Sequence, residues 1–316
     1  MSNKRLNLPM TGICSFMKKP ICQDLEQLEA DVAVLGVPYD MGIQYRSGTN
    51  QGPEYIRAGS KLTAFTNDDG VYDPDKDDMF LQGHWKIVDC GDADIVHGDL
   101  EQSFQNIEET VRKIVEKGAM PVVMGGDHSI TIPVVRALDT LGPICVVQID
   151  AHLDWCDERA GQKNGQGSPM RRISEMDHVC GMAQVGIRGL GSSMRSDFED
   201  ARKYGSVIIS ARDVKKHGIE YALSKLPKAE RYYVTYDIDG TDPALAPGTG
   251  TPSAGGLDYY EINDLLYGIS QMGQVVGFDL VEVAPQYDLS GSTGIFAARM
   301  MIEFIGYILK ARESRT

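Results

Sequence analysis

The sequence predicts an α/β fold with three layers, α/β/α, built on a central parallel sheet of about eight strands. Three observations predict it. Short apolar runs rich in valine and isoleucine recur along the chain without polar alternation, as strands buried on both faces do. Stretches with apolar residues at helical spacing separate these runs, so strand and helix alternate from one end to the other. No linker or internal repeat divides the chain, which is expected to form a single domain over 1–316 with an N-terminal extension over 1–30.

The elements follow in order. Residues 1–30 carry little pattern, and Val32-Ala33-Val34-Leu35 is the first strand. The stretch from Arg46 to Pro53 reads as a loop in which Pro53 opens a helix, since its fixed φ suits the first helical position. Residues 67–78 hold Asp68, Asp69, Asp73, Asp75, Asp77 and Asp78 and read as a solvated loop. A calcium loop counted from Asp73 needs Gly at its sixth place and Glu at its twelfth, where Asp78 and His84 stand. Lys86-Ile87-Val88-Asp89 is a short strand. Leu100, Ser103, Ile107, Val111, Ile114 and Val115 then mark an amphipathic helix ended by Gly118. Strands over 121–124 and 144–149 flank a helix over 129–139. A glycine-rich loop covers 157–169. Strands are expected at 183–187, 206–210, 232–236 and 274–279, and helices at 193–204, 218–226, 258–271 and 293–311.

Composition narrows the function. The formal net charge of −14 argues against nucleic acid or an anionic membrane surface as partner, because both need basic patches. It suits a cationic substrate, and solubility explains it equally well. No continuous apolar run approaches the ~20 residues of a membrane span. Lys4 and Arg5 are not followed by an apolar segment, so no signal peptide is expected. None of the six cysteines forms a Cys-x-x-Cys pair, which predicts a reduced, cytoplasmic protein. Cys90 and Cys145 read as core thiols, whereas Cys156 lies beside the candidate site. No phosphate loop is present, and Gly189-Leu190-Gly191 lacks the third glycine of a dinucleotide fingerprint.

Chemistry concentrates where strands end. The run 144–149 leads into Asp150-Ala151-His152-Leu153-Asp154, and alternate residues of extended chain point the same way, so the three polar side chains are expected to converge. The run 232–236 ends in Asp237-Ile238-Asp239, and 121–124 ends in Gly125-Gly126-Asp127-His128. A capped polar loop explains any one of these, but not all three together. His128, Asp150, His152, Asp154, Asp237 and Asp239 supply two imidazoles and four carboxylates, too much negative charge for one divalent ion. Two ions about 3.5–4 Å apart would balance it, and a hydroxide between them is a strong nucleophile at neutral pH. Oxygen-rich coordination suits Mn²⁺ better than zinc, with nickel or iron as alternatives.

These residues carry a resemblance to the ureohydrolase family, which includes arginase, agmatinase and the guanidino-acid hydrolases. The matching motifs are Gly125-Gly126-Asp127-His128-Ser129, Asp150-Ala151-His152-Leu153-Asp154, Asp237-Ile238-Asp239-Gly240-Thr241-Asp242-Pro243 and Val281-Glu282-Val283-Ala284-Pro285. A fifth, Ala246-Pro247-Gly248-Thr249-Gly250-Thr251-Pro252, is similar to the agmatinase branch. The resemblance runs from about Val32 to the C-terminus and implies an arginase-like fold. It implies one manganese held by His128, Asp150, Asp154 and Asp237, and a second held by Asp150, His152, Asp237 and Asp239. It also implies that Glu282 pairs with a guanidinium, that Asp154 handles the proton, that the products are urea and an amine, and that the protein is a homo-oligomer, trimer or hexamer.

Two positions depart from the family. The loop histidine that passes protons in much of the family is replaced by Gln166, which cannot titrate near neutrality. Trp155 stands directly after Asp154, where a smaller residue is usual, and its ring is expected to narrow the pocket. Both point away from arginine or agmatine, toward a smaller guanidino compound or free guanidine. The substrate tail is otherwise open: Asp157 and Glu158 suit an amine, whereas Arg159, Lys163, Arg171 and Arg172 suit a carboxylate, as in guanidinobutyrate or guanidinopropionate. Two other functions compete. A non-catalytic partner subunit of a mixed oligomer is expected to have lost ligands, and all six are present. A zinc amide hydrolase of the deacetylase type is expected to carry fewer carboxylates.

Overall fold

The computed structural model describes residues 8–64 and 70–315. Its strands are β1 Val32–Gly36, β2 Val71–Asp73, β3 Asp78–Phe80, β4 Ile87–Asp92, β5 Met120–Met124, β6 Ile144–Ile149, β7 Val179–Ile187, β8 Val207–Ser210, β9 Arg231–Asp237 and β10 Gln274–Val281. Its helices are α1 Gly52–Ser60, α2 Leu100–Glu116, α3 Thr131–Arg136, α4 Pro169–Ile173, α5 Arg195–Tyr204, α6 Ala211–His217, α7 Ile219–Lys225, α8 Tyr259–Met272 and α9 Ser292–Glu313. Eight strands form one parallel sheet in the order β4-β1-β5-β10-β9-β6-β7-β8. These are the eight strands expected from the apolar runs.

Alternation along each strand builds the three layers. Val122, Val147, Val234 and Leu280 join a core with Ile56 of α1, Val214 of α6, Ala222 of α7 and the apolar faces of α8 and α9. Val123, Val146 and Tyr233 point the other way, onto α2, α3, α4 and Ala201 of α5. In α2, Phe104, Ile107, Val111 and Ile114 make the buried stripe, and Asp99 caps the helix by accepting from Gln102 N at 3.0 Å. Full burial of each such side chain is worth about 1.5–3 kcal/mol. Strand β10 carries one extra residue, Val276, between the pairs Val275↔Tyr232 and Gly277↔Tyr233.

Several expectations are corrected. Part of the acidic stretch is a hairpin, not a solvated loop: β2 and β3 pair antiparallel, Asp73 accepts from the Tyr307 hydroxyl, and Asp78 pairs with Lys310. Asp68 and Asp69, like Lys4 and Arg5, lie outside the described residues. Helix α6 was not expected, because Ala211–His217 lacks an apolar period. It forms on a reciprocal Ser210–Asp213 cap and ends at Gly218, whose φ is +80°. Part of the N-terminal extension, from residue 8 onward, packs on the sheet. Phe16 and Met17 are buried, and Phe16 N donates to Asp89 at 2.7 Å. Helix α9 is apolar and long enough to cross a membrane by composition, but 72% of its apolar window is buried inside the protein, as a core helix should be.

Candidate metal centre

Register brings the chemistry to one level. β5, β10, β9 and β6 are neighbours at the middle of the sheet. Val281 pairs with Asp237, Leu280 with Met124, and Ile149 with Tyr236. The residues just past these pairs therefore emerge side by side at the carboxyl ends of the strands, where ligands bind in such sheets. Asp127 turns the chain after β5 by accepting from Ser129 N at 2.9 Å and from Gly42 N at 2.8 Å. Gly126 is required there, because a Cβ would lie 1.8 Å from the carbonyl oxygen of Tyr39.

The six predicted residues come together, though not in the way extended chain would bring them. His128 Nδ1 lies 2.8 Å from Asp154 Oδ2, 3.1 Å from Asp150 Oδ2 and 3.4 Å from Asp237 Oδ2. His152 Nδ1 lies 3.1 Å from Asp239 Oδ2 and 3.5 Å from Asp150 Oδ1. The chain bends at 151–152, and Asp154 has φ +51°, so His152 and Asp154 serve two spots that share Asp150. Glu282 has φ +65° and accepts from His128 N at 2.8 Å. Two carboxylate residues of one site thus hold a left-handed backbone that costs non-glycine residues of order 1–3 kcal/mol each.

The donor set fits divalent cations. His128 Nδ1 is buried and makes no hydrogen bond, although three carboxylates face it. Burial and the Asp150 charge raise Asp154 to about 6. Burial, with Asp239 and Asp150 beside it, holds Asp237 well above the usual carboxylate range, and burial with Asp237 and Asp127 does the same for Glu282. Burial also opposes charge on Asp150, yet the two imidazoles hold its carboxyl below the usual range. Burial opposes charge on His152 as well, but Asp239 and Asp150 raise it to about 12. Protons neutralise this cluster in the absence of cations, and a divalent ion at each spot would replace them.

The cluster opens onto a cavity of about 70 Å³ lined by His152, Asp154, Gln166, Asp237 and Glu282, with Arg159, Gly167, Ser192 and Thr251 around them. Gln166 lines this cavity. Trp155 does not: its ring is buried beneath the loop, donates to Asp200 Oδ2 at 3.0 Å and packs on Tyr204. The expectation that it narrows the pocket is corrected. The residue after Asp154 faces the α4–α5 layer, and the unusual size fills that layer instead. Of the tail candidates, Arg159 reaches the cavity, whereas Arg171 pairs with Asp200 and Arg172 with Asp157. Sequence reading missed Arg188, whose guanidinium donates to the carbonyls of Asp239, Thr241 and Ser253 and so ties the Asp239 turn to the loop before α8. A lone arginine at a strand end carries no signal of that kind. A larger hollow of about 440 Å³, between α1, the hairpin and α9, gathers no metal-binding cluster among the described residues.

Fold and site together define the class: a three-layer α/β protein whose acid-and-imidazole cluster could hold divalent ions. The profile of the Arginase family matches residues 30–306. The chain is 35% identical over 300 residues to the mitochondrial agmatinase of Gallus gallus, covering 93% of this chain and 85% of that protein. It is 34% identical over 302 residues to the guanidinobutyrase of Pseudomonas aeruginosa, covering 93% and 92%. The solved proclavaminate amidino hydrolase of Streptomyces clavuligerus superposes with a TM-score of 0.83 at 31% identity, over 96% of this chain and 99% of that one. The chain belongs to the Arginase family and is a ureohydrolase. That family's fold implies a binuclear divalent-metal site.

Proposed function

We propose that the protein hydrolyses a small guanidino compound to urea and an amine, as an agmatinase-like enzyme. The observation that carries this reading is the meeting of four strand ends: six ligand-type residues from three of them form one cluster, and three of these, His152, Asp154 and Asp237, share a small cavity with Glu282 from the fourth. His128, Asp150, Asp154 and Asp237 would hold one divalent ion, and Asp150, His152, Asp237 and Asp239 the other. We assign manganese to both positions, with nickel as the alternative. Bound there, the ions supply an activated water near neutral pH.

The chain's own residues do the rest. Glu282 keeps one oxygen on His128 N and lines the cavity with its carboxylate. A guanidinium is a permanent cation with donors in a plane, and it gives the buried Glu282 a reason to ionise. Asp154, on the cavity lining and beside His128, is placed to take the proton of the attacking water and pass it to the leaving nitrogen as the carbon–nitrogen bond breaks. Gln166 hydrogen-bonds the leaving group without titrating.

A second reading of the tail is favoured by Arg159. It is the arginine on the cavity lining, while Asp157, one of the two acids suited to an amine tail, is bound by Arg172 at 2.6 Å. This points to a carboxylate-bearing guanidino compound. The test is urea release from agmatine, 4-guanidinobutyrate, 3-guanidinopropionate, arginine and free guanidine, each with Mn²⁺ and with Ni²⁺. Guanidino acids turned over fastest support the Arg159 reading, agmatine fastest supports the first, and no urea from any of them overturns both.

We also propose a cytoplasmic homo-oligomer, a trimer or hexamer. Six unpaired thiols support a reducing compartment. The fully exposed Leu190 and Leu289 support a surface covered by another copy. Light scattering of the purified protein decides the oligomeric state, and a monomer would rule that part out.

A further inference from the structure

Beneath the metal centre lies a buried polar row that the proposed chemistry does not use. Asp279, in β10, is fully buried. It accepts hydrogen bonds from Tyr233 OH at 2.6 Å, Thr235 Oγ1 at 2.6 Å and Thr131 Oγ1 at 2.9 Å. Thr235 Oγ1 also lies 2.9 Å from His128 Nε2. A threonine hydroxyl has one proton. Thr235 gives its proton to Asp279, so toward His128 it can only accept, and Nε2 must carry the hydrogen. The neutral ring then has its lone pair on Nδ1, the nitrogen that faces Asp150, Asp154 and Asp237.

We propose that Thr235 and Asp279 are positioning residues: they fix the tautomer and the angle of the His128 ring, so that its Nδ1 lone pair is presented to the divalent ion of that spot. The proposal rests on the reading that His128 is a ligand. Tyr233 and Thr131 complete the arrangement by holding the Asp279 carboxylate on the far side of the hydroxyl. The second spot, at His152 and Asp239, has no share in this row. Selectivity between the two spots is therefore the signature of the role, since general damage to the scaffold would weaken both.

The test is titration of the full-length, metal-stripped protein with Mn²⁺ alone, for the native chain and for Thr235→Val, Thr235→Ala and Thr235→Ser. Occupancy of the two positions is resolved by anomalous scattering from crystals. Loss of the hydroxyl is expected to weaken the His128 position about 10- to 100-fold, the usual cost of losing the outer partner of a metal-bound histidine. The His152 position is expected to stay within about threefold, and Thr235→Ser to restore both. Thr235→Ala serves as the second hydroxyl-free variant if the valine does not fold. Equal weakening at both positions, or none at either, overturns the proposal. A native chain that binds no Mn²⁺ at all is a different result, and overturns the ligand reading itself.

Discussion

The floor of the cavity and its rim are built by different means. The floor is the ends of four adjacent strands. Its acids and His128 are buried, His152 is partly exposed, and backbone register fixes their positions. The rim, supplied largely by the 157–168 loop, holds Arg159 and Gln166, with Arg159 exposed and its guanidinium donating to Gln44 at 3.4 Å. The contrast teaches where each kind of specificity resides. Reaction chemistry is set by residues that cannot move without breaking the sheet. Substrate choice is set by residues that move at small cost.

The largest effect is expected on the floor. Asp150→Ala removes one of the two carboxylates shared by both spots. Urea formation should fall to background and at least one ion should be lost, while the circular dichroism spectrum is kept. Both ions retained at full turnover would break the proposed division between floor and rim. Glu282→Gln comes next. It keeps the shape of the side chain and removes its charge, so turnover is expected to fall by about 10²–10³, the scale for losing one preorganised electrostatic partner. Metal content measured by mass spectrometry should not change. Loss of metal in that variant would make Glu282 a ligand rather than a substrate partner.

Metal removal gives a smaller, pH-dependent effect. Burial raises Asp127 and Asp154 to about 6 in the folded chain, against an ordinary value of about 3.9. A raised carboxyl stabilises the fold fully below about pH 4 and loses that contribution as pH rises through 6. His152, raised to about 12, acts in the same direction from about pH 6.5 upward. The metal-free protein should therefore weaken toward alkaline pH. Mn²⁺ should raise the melting temperature more at pH 8 than at pH 5, by a few degrees in a protein of this size. A larger rise at pH 5 would contradict these charge states. The rim gives the smallest effect. Arg159→Ala is expected to raise KM for a guanidino acid about fivefold, as an exposed ion pair allows, and to leave free guanidine unaffected. Equal KM changes for both substrates would remove Arg159 from tail recognition.

The same contrast explains what could be read without coordinates. All eight sheet strands were legible, because each is a short stretch rich in apolar residues and bounded by turns. The ligand residues were legible because polar groups at strand ends stand out against those runs. The grouping was less so. Two separate spots depend on a bend at 151–152 and a left-handed Asp154, and backbone handedness leaves little trace in residue type. Trp155 was misread because orientation after a strand end cannot be counted by twos once the chain turns. The Thr235–Asp279 row was invisible, since both residues sit inside runs that read simply as strand.

Val276, the extra residue in β10, has a consequence beyond local twist. A sheet sorts side chains by odd and even count, and an inserted residue shifts the phase of everything after it. Before the insertion, odd-numbered Val275 faces the α8–α9 layer; after it, even-numbered Phe278 and Leu280 do. Asp279 is thereby turned to the opposite layer, where it meets Thr235 and lies under His128. The register of Glu282 with the other strand ends follows from the same offset. One valine that touches no ion and no substrate thus sets the phase in which the last strand delivers its acids. A chain lacking only that residue would keep every ligand in its sequence and still be out of step with its own site.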